Sequence, residues 1–173
     1  MANGVRDLSE LEGAILSEIE HRGQQTAFQV RRAFAESVSL EWKGSAGAVY
    51  PAVRRLEQEG LLLASDPAGG RRTRTLSLTV AGREALMQWA CDPALGASIG
   101  VDPFRLRSGI WHLLPTHEKG ALLTELDIRI DGQISELKGL LPMADPVEAL
   151  RIELALDLQR TRQIYIRKWR DRL

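Results

Sequence analysis

Cysteine is almost missing from this chain, and Cys91 stands alone. One thiol cannot close an intrachain disulfide or build a multi-cysteine zinc site, so the sequence points to a reducing cytoplasm. Long apolar runs are missing too. The longest wholly apolar stretch is Leu61-Leu62-Leu63-Ala64, far below the ~20 residues of a membrane helix, and no apolar leader core follows Met1. A membrane-embedded or secreted protein is not expected. Histidine is scarce, and His21, His112 and His117 show no metal-ligand spacing. No Gly-x-Ser-x-Gly elbow occurs, and Gly69-Gly70-Arg71 lacks the Gly-Lys-Ser/Thr of a phosphate loop. Catalysis, a cofactor and a metal centre are therefore not expected. Net charge is absent as well, with 23 basic against 23 acidic side chains. Spread evenly, such a balance would argue against nucleic acid.

The charge is not evenly spread. Residues 1–41 hold 4 basic and 7 acidic side chains, and residues 42–83 hold 7 and 3. Residues 84–159 hold 6 and 12, while residues 160–173 hold 6 and 1. Two short basic blocks are thus embedded in an acidic chain.

Helix signals open the N-terminal half. Ser9 is placed to cap a helix with Glu12 at its third position, and Leu11, Ala14, Ile15 and Ile19 follow at the spacing of one buried face. His21-Arg22-Gly23 ends it. A second helix runs from about Thr26 to Glu36, with Phe28, Val30, Ala33 and Phe34 as its apolar side. Ser37–Gly44 reads as a break. Ser45 then caps a third helix to about Glu59, in which Val49, Val53 and Leu56 form one stripe with Ala52 at its border. Gly47, Tyr50, Pro51, Arg54, Arg55 and Gln58 face away from that stripe, and Pro51 stands well inside the helix, where it should bend it or cost a hydrogen bond.

Leu61–Ser65 and Arg74–Leu78 are short β-favouring runs around the turn residues Asp66-Pro67-Ala68-Gly69-Gly70, which predicts a hairpin. Arg71, Arg72 and Arg74 lie at its tip and on its return strand. Thr79 caps a further helix to about Trp89. Three helices, a hairpin and a helix in this order form a winged helix-turn-helix. Such a third helix enters the major groove, so Ser45, Gly47, Tyr50 and Arg54 are candidate DNA contacts, with Arg71, Arg72 and Arg74 reaching the backbone or minor groove.

Past Cys91 the composition shifts. Cys91–Asp102 reads as a linker or bent segment, and Pro103–Leu114 as a helix. A long helix from Thr116 to about Leu141 carries Leu123, Leu126, Ile130, Ile134, Leu137 and Leu141. After a turn at Pro142–Pro146, a last helix carries Val147, Leu150, Leu154, Leu158, Tyr165 and Trp169. Two such stripes joined by a short turn give an antiparallel helical hairpin. These helices bury little alone, and a winged helix reads one half-site, so a homodimer through Leu123, Leu126, Ile130, Ile134, Leu137, Leu150, Leu154, Leu158, Tyr165 and Trp169 is expected. The competing arrangement packs the hairpin on its own N-terminal domain. Trp89, Phe104, Trp111 and His112 are candidates for an aromatic ligand pocket, with ordinary core packing as the alternative. The tail arginines Arg160, Arg162, Arg167, Arg170 and Arg172, with Lys168, are read as a solvated, salt-bridged face.

One segment carries a family resemblance. Ala48-Val49-Tyr50-Pro51-Ala52-Val53-Arg54-Arg55-Leu56-Glu57-Gln58-Glu59-Gly60-Leu61 is similar to the third-helix signature of the PadR family of bacterial transcriptional regulators. Arg71-Arg72-Thr73-Arg74-Thr75-Leu76-Ser77-Leu78-Thr79-Val80-Ala81-Gly82 resembles that family's wing and the helix start after it. Leu8–Gly13 and Ala27-Phe28 match more loosely. The family usually has Gly-Tyr where Ala27-Phe28 stands, and an aromatic in place of Leu76. The resemblance covers residues 8–83, with a C-terminal half like that of the family's long form. It implies a cytoplasmic homodimeric repressor of a palindromic operator, often released by a small molecule such as a small aromatic effector. The expected architecture is mainly α, with a winged-helix domain at 1–90 and a helical dimerisation domain at 91–173. The alternative is a winged-helix protein-interaction module that does not bind DNA directly.

Overall fold

The computed structural model describes residues 7–23, 25–37, 39–65, 74–98, 100 and 102–173. The chain divides into two compact units, Met1–Ile99 and Gly100–Leu173. In the first, helices α1 (Glu10–Arg22), α2 (Ala27–Glu36), α3 (Leu40–Ser45), α4 (Val49–Gln58) and α5 (Val80–Ala90) surround a three-stranded sheet. Its strands are β1 (Gln25–Thr26), β2 (Leu62–Ala64) and β3 (Thr75–Leu78).

Local chemistry sets the helix starts. Ser9 and Glu12 form the reciprocal cap that the sequence predicts, and Thr26 and Gln29 form a second one. Thr79 caps α5 by accepting from the Gly82 amide. The second unit and the segment before it use one device three times. Asp92, Asp102 and Asp145 cap α6 (Pro93–Gly96), α7 (Pro103–Trp111) and α9 (Pro146–Arg170), each followed by a proline at the first helical position.

The hairpin is present. β2 and β3 are antiparallel, with Leu62 opposite Leu78 and Ala64 opposite Leu76. The tip at 66–73 lies outside the described residues. A strand that the sequence did not announce, β1, pairs with the other side of β3, with Gln25 opposite Leu76. β3 is therefore central, in the order β1-β3-β2.

Two local expectations fail around the third helix. Ser37–Gly44 is not simply a break, because Ser39 caps α3 within it. Ser45 does not cap the long helix; it closes α3, and a 3-10 turn at Ala46–Ala48 intervenes before α4 begins at Val49. Pro51 consequently falls in the first turn of α4, where its missing N–H removes no helical hydrogen bond, and the predicted cost disappears. The 91–102 segment also contains α6, which was read as linker.

The first core is built from Ile15, Leu16 and Ile19 of α1, Val30 and Phe34 of α2, Val49, Val53 and Leu56 of α4, Leu62 and Leu76 of the hairpin, and Leu86 of α5. Phe28 is not part of it, being 59% exposed on the outer side of α2. Two glycines mark close approaches. A Cβ at Gly82 would stand 2.0 Å from the Leu61 carbonyl oxygen, and one at Gly13 would stand 2.3 Å from the Trp89 ring.

In the second unit, α8 (Thr116–Leu140) and α9 run antiparallel. Cross-contacts from Gln133 to Gln159 and from Asp127 to Gln163 show the direction. Leu123, Ile130, Ile134 and Leu137 of α8 meet Ile152, Leu156 and Ile166 of α9 in its core. This corrects the reading of the last helix: Val147, Leu150, Leu154, Leu158 and Tyr165 are exposed, and a second apolar stripe makes the hairpin contact. α7 docks on α9 through Asp102. Its carboxylate accepts from Arg162 at 2.9 Å, and the Arg162 guanidinium lies 5.9 Å from the Phe104 ring centroid.

Burial alone would raise the Asp102 carboxyl above its ordinary pKa. The Arg105 amide, the Arg162 guanidinium and the Phe104 amide outweigh that effect and hold it below the ordinary value. A depressed carboxylate adds stability above its unfolded pKa, near 3.9, and loses it as pH falls through the lower folded value. Asp102→Asn keeps a capping oxygen but removes the charge. Chemical unfolding should show wild type more stable than this variant at pH 7, with the gap closing once the pH falls below the ordinary carboxylate range. A gap independent of pH would refute the assignment.

Candidate nucleic-acid interface

The buried side of α4 is fully engaged, since Val49, Ala52, Val53 and Leu56 are sealed in the first core. Its opposite side is bare. Gly47 just before it, and Tyr50, Pro51, Arg54, Arg55 and Gln58 on it, are all exposed, as their spacing predicts. A Cβ placed at Gly47 meets nothing within 4 Å. Packing within the chain therefore does not require glycine there, and the open space suits close approach of another backbone. The Ser45 hydroxyl donates to the Glu41 carbonyl at 2.9 Å, which holds it at the end of α3 with its lone pairs still able to accept.

The two adjacent arginines of α4 differ. Arg55 Nε meets Glu12 Oε1 at 3.4 Å, and the Glu12 side chain is almost wholly buried. Glu12 also receives the Ser9 amide and hydroxyl at 3.1 and 2.9 Å. Arg55 thus balances a buried charge and ties the start of α1 to α4. Arg54, one turn after the 40% exposed Tyr50, makes no ion pair or side-chain hydrogen bond with another described residue. It is the guanidinium of α4 that is available to an external anion.

Arg74, just before β3, has its guanidinium 3.4 Å from Glu57 Oε1, so the start of the return strand is linked to α4. Arg71 and Arg72 lie outside the described residues. Sequence reasoning passed over two further exposed cations, Arg31 of α2 and Lys43 of α3, neither paired with a described carboxylate. The excess of positive charge over 42–83 was the available signal for Lys43, but the helix carrying it was read as a break.

The four aromatic-pocket candidates have separate surroundings. Trp89 lies over Gly13 in the first unit, and its indole N–H donates to Glu10 at 3.3 Å. Phe104 and Trp111 belong to the second, joined there by Trp169. Phe104 stands edge-on to Trp111 at 5.2 Å and is stacked on Trp169 at 6.2 Å. His112 follows Trp111 and is exposed. Of the dimerisation candidates, Leu123, Ile130, Ile134 and Leu137 are buried within the chain's own hairpin, and Leu126 and Trp169 are partly buried against it. Leu150, Leu154, Leu158 and Tyr165 remain on the surface of α9. The basic tail is largely neutralised, with Arg160 paired to Asp157, Arg162 to Asp102, and Arg167 and Arg170 to Asp127. Cys91 is exposed.

Helices α1 to α4 followed by the paired hairpin and a closing helix have the geometry of a winged helix-turn-helix. Residues 15–88 match the model of the transcriptional regulator PadR-like family. The first unit is a PadR-like domain. Solved structures with the same fold extend over the rest of the chain. Bacillus subtilis PadR in complex with operator DNA superposes with a TM-score of 0.78 at 19% identity, covering 97% of this chain and 100% of that one. A PadR-like transcriptional regulator from Bacillus cereus gives 0.70 at 16%, covering 98% and 99%. The Vibrio cholerae virulence activator AphA gives 0.65 at 22%, covering 94% and 95%. No curated protein matches the chain. The fold shared with these structures comprises the winged helix and the long C-terminal helices. Among the described residues no helix is long and apolar enough to cross a membrane, and no cluster of metal-ligating side chains occurs.

The two arginines of α4 should separate on mutation. Arg54→Ala should leave the unfolding midpoint within experimental error and weaken binding to duplex DNA by roughly 1–3 kcal/mol. Arg55→Ala should lower stability first, by about 1–3 kcal/mol, because it strips a buried carboxylate of a partner. Thermal unfolding alongside a mobility-shift titration checks both, and equal stability losses would overturn the distinction.

Proposed function

We propose that this chain is a sequence-specific DNA-binding transcriptional regulator acting in the bacterial cytoplasm as a homodimer. The observation that carries the reading is the outer face of α4. It has an unpaired Arg54 one turn from an exposed Tyr50, behind an N-terminal end made of Ala46, Gly47 and Ala48, in a PadR-like domain. Such an end lets the helix backbone sit deep in the major groove, with Arg54 and Tyr50 offered to base edges or phosphates. The Ser45 hydroxyl donates to a phosphate oxygen beside it, turning from the Glu41 carbonyl that takes its proton in the free chain. Arg74, Arg71 and Arg72 of the wing contact the neighbouring backbone or minor groove. A structural relative was solved on operator DNA, which supports the same use of this fold here.

One winged helix covers one half-site, so a palindromic operator needs two copies with their reading helices about one DNA turn, roughly 34 Å, apart. The surface stripe of α9 supplies the means. Leu150, Leu154 and Leu158 recur every fourth residue at 58%, 64% and 46% exposure, with Tyr165 two turns on. A row of this kind on a 25-residue helix is a costly surface to leave in water. We place the homodimer contact there, with the buried leucines and isoleucines of α8 supporting it from behind. Repression is the simpler mode, because occupying an operator requires DNA affinity alone. A PadR relative was also solved with p-coumaric acid, which supports a small aromatic effector that releases the DNA.

Counterion release makes phosphate contacts salt-dependent. Arg71→Ala with Arg72→Ala should weaken binding to all duplexes alike and flatten the slope of affinity against salt, whereas Arg54→Ala should blunt discrimination between the operator and unrelated DNA. Titrations of the duplex upstream of the chain's own gene at several salt concentrations test this. An unchanged slope removes the wing assignment, and no binding at any salt favours the protein-interaction alternative. For the dimer, Leu150→Glu with Leu154→Glu should convert the sedimenting species to monomer. A variant that stays dimeric would move the interface elsewhere.

A further inference from the structure

The winged unit holds a cavity of about 280 Å³, lined by residues from just before α1, from the end of α5 and from α6. Leu8 and Ala85, both buried, and Leu95 give it apolar walls. The Trp89 indole gives it another, and that ring is held from two directions. A Cβ on Gly13 would stand 2.3 and 2.4 Å from the two atoms of the indole's fused bond, so α1 lies over one face. The indole N–H donates to Glu10 at 3.3 Å. What is left of the ring is a fixed π-surface at the cavity.

Two carboxylates, Asp7 and Asp92, also line it, and none of the lining residues is basic. Elsewhere in this unit Glu12, Glu18, Glu20, Glu36 and Glu57 each meet an arginine. Asp7 makes no ion pair or hydrogen bond with a described residue. Asp92 uses one oxygen as a cap, Oδ1 accepting from the Ala94 and Leu95 amides at 2.8 and 3.2 Å. Its Oδ2 has no partner among the described residues. A fixed aromatic surface beside two carboxylates without a cation asks for a flat ligand that carries positive charge.

We propose that this cavity binds a small organic cation, a guanidinium on a short apolar stem, stacked on Trp89 and hydrogen-bonded to Asp7 and Asp92 Oδ2. A guanidinium is planar and weakly hydrated, stacks on aromatic faces, and presents N–H groups in a fork that matches carboxylates. The negative face of the indole adds to its hold on the charge. The stem lies along Leu8 and Leu95. The size agrees, because a cavity just under the ~300–1,000 Å³ of drug-sized sites admits a ligand of this kind. The site lies wholly within the winged unit and takes a charge opposite to that of an aromatic acid. It stands apart from the effector and from the contacts with DNA, and depends on neither.

Nitrogen–proton correlation spectra of the full chain, titrated with n-butylguanidinium, n-butylurea and n-butylammonium, test the proposal. The chain has four tryptophans, and butylguanidinium should move the indole N–H signal that Trp89→Phe removes. If that variant fails to fold, Glu10→Gln identifies the same signal by shifting it in the free protein. Butylurea keeps the shape without the charge and should bind at least roughly tenfold more weakly. Butylammonium keeps the charge without the plane and should also bind more weakly. Asp7→Asn with Asp92→Asn should weaken the guanidinium by roughly tenfold or more. Asparagine still caps α6, so the circular dichroism spectrum should not change. The site is overturned if the urea or the ammonium binds as tightly as the guanidinium, or if the double variant binds like wild type. Saturation that leaves the Trp89 signal in place overturns it as well.

Discussion

A carboxylate almost without solvent, Glu12, organises the winged half of this protein. A buried charge is tolerated only when it is paired and hydrogen-bonded, and here its partners include groups from two distant parts of the chain. Ser9 supplies its amide and hydroxyl from the start of the same helix, and Arg55 supplies its Nε from 43 residues further along. One side chain thereby sets where α1 begins and how α4 lies against it. The same contact decides the division of labour on α4. With Arg55 paired to Glu12, Arg54 is left as the unpaired charge, and adjacent arginines that look equivalent in the sequence have different surroundings.

Much of this architecture was legible before any coordinates. Helix starts were readable at Ser9, Thr26 and Thr79, where the capping side chain precedes a long apolar-periodic run and the chemistry lies within four residues. The hairpin was readable from its turn residues. The outer face of α4 was readable from spacing alone, since a helix of known phase has only one side left when the other is apolar. What failed was set by tertiary context. Two residues cannot signal a strand, so β1 exists because β3 offers an unpaired edge. The start of α4 was misplaced because Ser45 has the chemistry of a cap, while Ser39 caps α3 and α4 begins after Ala48 with no side-chain cap at all.

The last helix failed for a different reason. α9 is apolar on two opposite sides, and periodicity reports that a stripe exists without saying what it meets. Ile152 and Leu156 are two residues from Leu150 and Leu154, about 200° around the helix. Only packing against α8 shows that the isoleucine side faces inward. The basic tail teaches the complementary lesson. Its six cations resemble a DNA-binding run when counted, yet four of them meet carboxylates in the structure, and Lys168 lies over Tyr165 at 5.4 Å. Composition located the charge, and geometry decided whether it was available.

The strand order also bears on how copies of this chain can meet. β3, the one strand of four residues, is paired on both sides, and the edges left over belong to strands of two and three residues. Sheet edges are where proteins join by continuing a ladder, and edges this short give such a ladder almost nothing to grip. The winged half is thus built against edge-to-edge polymerisation. Two such domains brought side by side have almost no edge through which their sheets could merge.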